Sequence, residues 1–90
     1  MYYCYILFSE SLNKYYVGSC SDLDNSLRKH NLGHAKFTST GIPWSLMWCE
    51  KFDSNSDALK REKEIKNRKS RIFIDKLIAK NNRELDQFQN

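Results

Sequence analysis

Four residues of this chain have side chains whose type and spacing could do chemistry: Tyr16, Ser26, His30 and Glu62. Ser26 and His30 are four apart, so on a helix they share a face beside the stripe formed by Leu23 and Leu27. Tyr16 leads Tyr16-Val17-Gly18 just ahead of that helix and can project its hydroxyl toward His30. A tyrosine, whose ordinary pKa is about 10, accepts a proton near neutral pH only with help from a base or a positive charge, and an imidazole supplies that help. At about 100° per residue, Glu62 falls within the apolar stripe of Ala58, Leu59 and Ile65, whereas Glu64 points away. An inward carboxylate is costly unless paired, hydrogen-bonded or bound to metal. Two readings of Glu62 stay open: a stripe-edge residue paired with a basic neighbour, or a metal ligand. His30 is in the same position, as either a satisfied packing residue or a proton-transfer group. Tyr5 and Tyr16 can also be sheet packing, which is the reading taken for Tyr2, Tyr3 and Tyr15.

The elements that must position these residues follow from local pattern. Tyr2 to Phe8 is a short aromatic and β-branched run of a central strand, Ser9 to Asn13 breaks it, and Lys14 to Cys20 repeats it, which together predict a hairpin. Asp22 caps a helix that ends near Asn31 and Gly33. His34 to Pro43 reads as a loop and Trp44 to Phe52 as a third strand. Ser54 with Asp57 has the form of a capping box for a helix from about Asn55 to Asn67. Ser70 opens a last helix with Ile72, Phe73, Leu77 and Ile78 on one side. The expected fold is α/β, of the α+β kind, in the order β-β-α-β-α-α, with a small mixed three-stranded sheet containing an antiparallel hairpin. Residues 1–80 are expected to form the domain and 81–90 a polar, fraying tail, in which Leu85 and Phe88 allow the helix to continue.

Composition narrows the class. Ninety residues suffice for one modest core, and 40% hydrophobic with 29% charged residues describes a folded, soluble chain. No apolar run approaches the roughly 20 residues of a membrane helix, and the start lacks the basic region of a signal peptide, so a cytoplasmic location is expected. Cys4, Cys20 and Cys49 lie in apolar or strand-like stretches without zinc-ligand spacing and read as small buried hydrophobes. The net charge of +4 is unevenly placed: Lys60, Arg61, Lys63, Lys66, Arg68, Lys69 and Arg71 are nearly half of the 15 Lys and Arg. So dense a run points to a polyanion, nucleic acid foremost.

Taken in order, Tyr5-Ile6-Leu7, eleven residues to Tyr16, Tyr16-Val17-Gly18, Leu27-x-x-His30-Asn31, Lys36-Phe37-Thr38, Pro43-Trp44-x-Leu46 and Ala58-Leu59-Lys60-Arg61-Glu62 resemble the GIY-YIG nuclease family. The likeness is to its small single-domain bacterial members, similar to the nuclease domain of the excision-repair subunit UvrC, and covers Met1 to Ala79. The first motif departs from the glycine-initiated form, with Tyr3-Cys4-Tyr5 in its place. The resemblance implies hydrolysis of DNA phosphodiesters, in repair or recombination, with one Mg²⁺ or Mn²⁺. It makes Glu62 the metal ligand, Tyr16 the general base for the attacking water, His30 its assistant and Tyr5 a supporting hydrogen-bonding group. One carboxylate leaves coordination positions for phosphate and water, which suits an oxygen-loving Lewis acid. Lys29, Lys36, Lys60, Arg61, Lys63, Lys66, Arg68 and Lys69 would hold the nucleic-acid backbone.

Ten residues after Tyr16 the family carries an arginine that stabilises charge on the phosphate, and here that position is Ser26. Losing such an arginine costs on the order of 10³ to 10⁵ in rate, so an impaired enzyme is expected. Arg28 faces about 200° away on a helix, and the ammonium groups of Lys29 and Lys36 lack a guanidinium's bidentate geometry. The alternative is an inactive nucleic-acid-binding module; a protein-interaction domain leaves the basic run and Glu62 unexplained. So short a chain has little room for target selection, which a protein partner would supply.

Overall fold

The computed structural model describes residues 1–33 and 39–89, with side chains to residue 80. Its elements are β1 (Tyr2–Ser9), β2 (Lys14–Cys20), α1 (Leu23–Asn31), a 3-10 turn (Ser39–Gly41), β3 (Trp44–Phe52), α2 (Asn55–Arg68) and α3 (Arg71–Gln89). The α+β class and the order β-β-α-β-α-α are as expected. The sheet is antiparallel throughout rather than mixed, in the order β2-β1-β3. β2 and β3 run the same way, but β1 stands between them and is antiparallel to both, so no parallel pair is hydrogen-bonded.

The helices start where short polar side chains replace missing backbone partners. Asp22 accepts from the Asn25 N–H at 3.0 Å, Ser54 from Asp57 at 3.2 Å and Ser70 from Phe73 at 3.2 Å. α1 stops at Gly33, whose φ of +79° is left-handed backbone that glycine adopts without steric cost.

Strand alternation divides the core in two. Cys4, Ile6, Val17 and Trp48 pack on one sheet face with Ile65 of α2 and Ile78 of α3. Tyr5, Leu7 and Trp44 pack on the other with Tyr16 and with Leu23 and Leu27 of α1. Trp44 and Trp48, four apart, would share a face in a regular strand. A register shift between Ile6 and Leu7 inserts one residue into β3 and sends the two indoles to opposite sides.

On α2, Ala58 and Ile65 are buried but Leu59 is 41% exposed, because it lies about 100° round the helix from Ala58 and off the packed stripe. Ile72 of α3 also faces solvent, while Phe73, Ile74, Leu77 and Ile78 face the core. The start of α3 is tied to the hairpin end. Arg71 donates to the Asn13 carbonyl and side-chain oxygens at 3.1 and 2.8 Å, and the Tyr15 hydroxyl donates to Asp75 at 2.7 Å. No helix among the described residues is long and apolar enough to cross a membrane.

Candidate active site

On the α1 face, three polar side chains from two elements, β1 and α1, meet among apolar neighbours. Ser26 Oγ donates to the Tyr5 hydroxyl at 3.0 Å, and that hydroxyl lies 3.1 Å from His30 Nε2. Tyr5 and His30 are both buried, at 3% and 6% exposure. A phenol has one proton, so while Ser26 donates to it the Tyr5 proton goes to Nε2, which leaves the imidazole proton on Nδ1. Burial keeps this arrangement neutral: desolvation pushes Tyr5 up to about 12, with Ser26 opposing it, and lowers His30 below its ordinary value. The Tyr16 ring completes the group, 4.9 Å from the His30 ring and 6.4 Å from that of Tyr5.

Each member is held by a local device. Tyr5 pairs with Gly18 across the β1–β2 ladder, and a Cβ at Gly18 would come within 2.6 Å of the Tyr5 hydroxyl and 3.1 Å of the Tyr16 ring. The glycine is there to make room for two tyrosines. α1 is fastened to β3 by Asn31, whose amide accepts from the Trp44 N–H at 2.6 Å and donates to the Trp44 carbonyl at 3.1 Å. His30, next to Asn31 in sequence, takes its place from that clamp. The sequence reading missed the roles of both Gly18 and Asn31. A glycine inside a strand pattern is a usable signal for the first, but the second depends on a contact between distant segments.

Ser26 is half-buried at the wall of a pocket of about 250 Å³ that is also lined by Cys20, Asp22, Asn25 and Lys29. Space for a longer side chain therefore exists at this position, with the Lys29 ammonium the one cation on its wall among the described residues. Burial raises the thiols of Cys20 and Cys49 above their ordinary values, and it pushes Cys4 up to about 12 together with the field of Glu62. All three cysteines are free and stay protonated; Cys4 is buried as expected, whereas Cys20 and Cys49 are only half-buried at the edge of the α1-side core.

Glu62 is not part of this hydrogen-bonded group. It stands on α2, which packs on the opposite sheet face, with its side chain 18% exposed and one carboxylate oxygen accepting from Lys66 Nζ at 2.8 Å. Its charge is nevertheless felt at Tyr5, where it is one of the influences opposing ionisation. Among the described residues no cluster of three or more His, Cys, Asp or Glu side chains forms a metal cage. The Lys66 pair is thus one of the two expected readings of Glu62, and a single carboxylate also suits a hard cation that keeps most of its waters and takes further oxygens from a phosphate.

The basic residues divide. Arg61 is held by Glu50 and Glu64 at 3.1 and 3.0 Å and lies over the Trp48 ring, and Arg68 lies over Phe73 at 4.5 Å. Lys29, Lys60, Lys63, Lys66 and Lys69 are exposed. Lys36, with the Lys36-Phe37-Thr38 motif, lies outside the described residues.

The described residues thus form a small antiparallel α+β domain with two strand tyrosines and a helix histidine on one face. The chain belongs to the GIY-YIG family: the model of the GIY-YIG catalytic domain matches residues 1–76. Its relatives include a UPF0213 protein of Staphylococcus saprophyticus, 46% identical over 52 residues, or 57% of this chain and 63% of that protein. A UPF0213 protein of Halobacterium salinarum is 42% identical over 53 residues, 58% of this chain and 69% of its own length. A UPF0213 protein of Staphylococcus aureus is 42% identical over 52 residues, with 57% and 63% covered. The match thus spans less than two thirds of the length of the staphylococcal relatives. No solved structure matches the chain.

Proposed function

We propose that residues 1–80 are a divalent-metal-dependent DNA endonuclease domain, acting in the cytoplasm in repair or recombination on branched or damaged DNA, and slowed by the serine at position 26. The observation that carries this reading is the Ser26–Tyr5–His30 hydrogen-bonded chain against Tyr16 in a GIY-YIG domain. Burying a phenol and an imidazole together carries a desolvation cost that hydrogen bonds offset only in part and that apolar residues would avoid.

In this reading Tyr16, its own proton released to solvent, accepts a proton from the attacking water. His30, whose ring lies 4.9 Å from the Tyr16 ring, is the group that assists it. Tyr5, pushed up to about 12, stays protonated and orients His30 through Nε2. Glu62 would hold a single Mg²⁺ or Mn²⁺, which when bound supplies Lewis acidity toward the phosphate. Position 26 supplies a hydroxyl already used on Tyr5 where a guanidinium would stabilise the growing charge. A protein partner would select the target.

That same hydrogen bond favours the second reading, a nucleic-acid-binding module that keeps the architecture without the chemistry. Cleavage of labelled duplex, flapped and branched DNA with Mg²⁺ or Mn²⁺ separates the two, for the chain itself, Ser26→Arg and Ser26→Arg/Glu62→Ala. The nuclease reading expects arginine to raise cleavage by about 10³ or more, and Glu62→Ala to abolish it. Binding without cleavage in all three supports the module.

A further inference from the structure

The seven basic residues from Lys60 to Arg71 are alike in sequence but not in place. Arg61 is held by two carboxylates of the protein itself, and Arg61, Arg68 and Arg71 each lie over an aromatic ring. Lys66, Lys69 and Arg71 converge with Lys14 on one pocket of about 300 Å³, where the start of β2 meets the α2–α3 junction. One of these elements, α2, also carries Glu62, which accepts from Lys66.

Several observations give the pocket the character of an anion site. Its four cations come from three elements, so they surround a volume instead of forming a stripe. Among the described residues only Lys66 of the four has an ion pair, to Glu62, and the charge of Asp75, which accepts from the Tyr15 hydroxyl close by, leaves the cations in excess. Arg71 is fixed in direction by its two bonds to Asn13, oxygens that hold the guanidinium without neutralising it. Ser70, also on the wall, caps α3, so the partly positive end of a 19-residue helix adds to the field. Lys69 has a φ of 48° at the C-cap of α2, a left-handed position where glycine is the low-energy choice, and with it the chain keeps a charge in the pocket. Apolar Val17 and Ile65 contribute to the lining and offer no base-reading groups.

We propose that this pocket is a backbone-phosphate subsite that holds the nucleic-acid strand next to Glu62, through Lys14, Lys66, Lys69 and Arg71. The inference rests on the nuclease reading for the identity of the polyanion, and it adds Lys14 and Arg71 to the residues that hold the strand. Such contacts set the register of the strand and carry no sequence information.

The test is binding of a fluorescent DNA duplex across a KCl series without divalent metal. Lys14→Gln/Lys69→Gly removes two cations at exposed positions, and glycine relaxes the backbone at 69, so the fold is retained. Lys51→Gln/Lys76→Gln removes the same charge from exposed positions outside the pocket. The pocket pair is expected to weaken binding by about tenfold and to flatten the slope of log K against log salt by about 1.8, the value for two lost phosphate contacts. The distant pair should change affinity by less than about threefold, with little change in slope. Equal losses from both pairs, no loss from the pocket pair, or no duplex binding by the parent chain would each overturn the subsite. DNA cleavage measured on the same samples distinguishes the two claims. Pocket-dependent binding without cleavage by Ser26→Arg removes the nuclease reading alone, and cleavage with pocket-independent binding removes the subsite alone.

Discussion

The two faces of the sheet are built from the same strands to opposite ends. Toward α2 and α3 the buried side chains are Cys4, Ile6, Val17, Trp48, Ile65 and Ile78, an apolar core with its polar groups at the rim. Toward α1 the interior holds a phenol, an imidazole and a hydroxyl in one hydrogen-bonded line, and a strand glycine makes the space. The first arrangement is what stability requires. The second carries desolvation costs that a purely structural face would avoid with apolar residues. Neighbours in sequence therefore have different duties: Tyr15 faces α3 and bonds Asp75, while Tyr16 faces α1 and packs on His30.

The change expected to break the comparison most visibly is Ile6→Ala on the apolar face. Deleting a fully buried isoleucine should cost about 2 to 5 kcal/mol in a urea melt, while cleavage per folded molecule in the Ser26→Arg background stays unchanged. Gly18→Ala drives a methyl against the Tyr5 hydroxyl, and about 1 to 3 kcal/mol is expected together with loss of activity. Tyr5→Phe leaves Ser26 and His30 Nε2 without their shared partner, at about 1 to 3 kcal/mol. It also removes a bond to the neutral imidazole, so the His30 pKa should rise in an NMR titration.

The smallest effect is on pH dependence. His30 is lowered from 6.5, so between its folded value and 6.5 the unfolded chain binds more protons, and stability falls as pH drops through that window. Cys4 and Tyr5 are raised to about 12 from 9.0 and 10.0, so stability also falls as pH climbs past 9.0. Thermal melts should therefore show a plateau between pH 6.5 and 9.0, and Tyr5→Phe should remove the tyrosine contribution at the alkaline end.

Much of this was legible in the sequence because it is local. Asp22, Ser54 and Ser70 mark helix starts through contacts three residues long, and the grouping of Tyr16, Ser26 and His30 follows from strand alternation and helix period. Pairings between distant segments were not legible. The antiparallel joining of β3 to β1, the Asn31 clamp on Trp44 and the capture of Arg61 by Glu50 all depend on which surfaces meet after folding. Ser26 is the instructive case. Its spacing marked a missing guanidinium, but nothing local indicated that its hydroxyl would bond Tyr5.

The most direct test of a chemical face set against a structural one exchanges adjacent phenols, in the Ser26→Arg background under single-turnover conditions. Tyr16→Phe should slow DNA cleavage by about 10² or more at unchanged stability, and Tyr15→Phe should lose at most about 1 kcal/mol of stability at unchanged rate. Equal rates for the two variants would contradict the assignment of the chemistry to the α1 face.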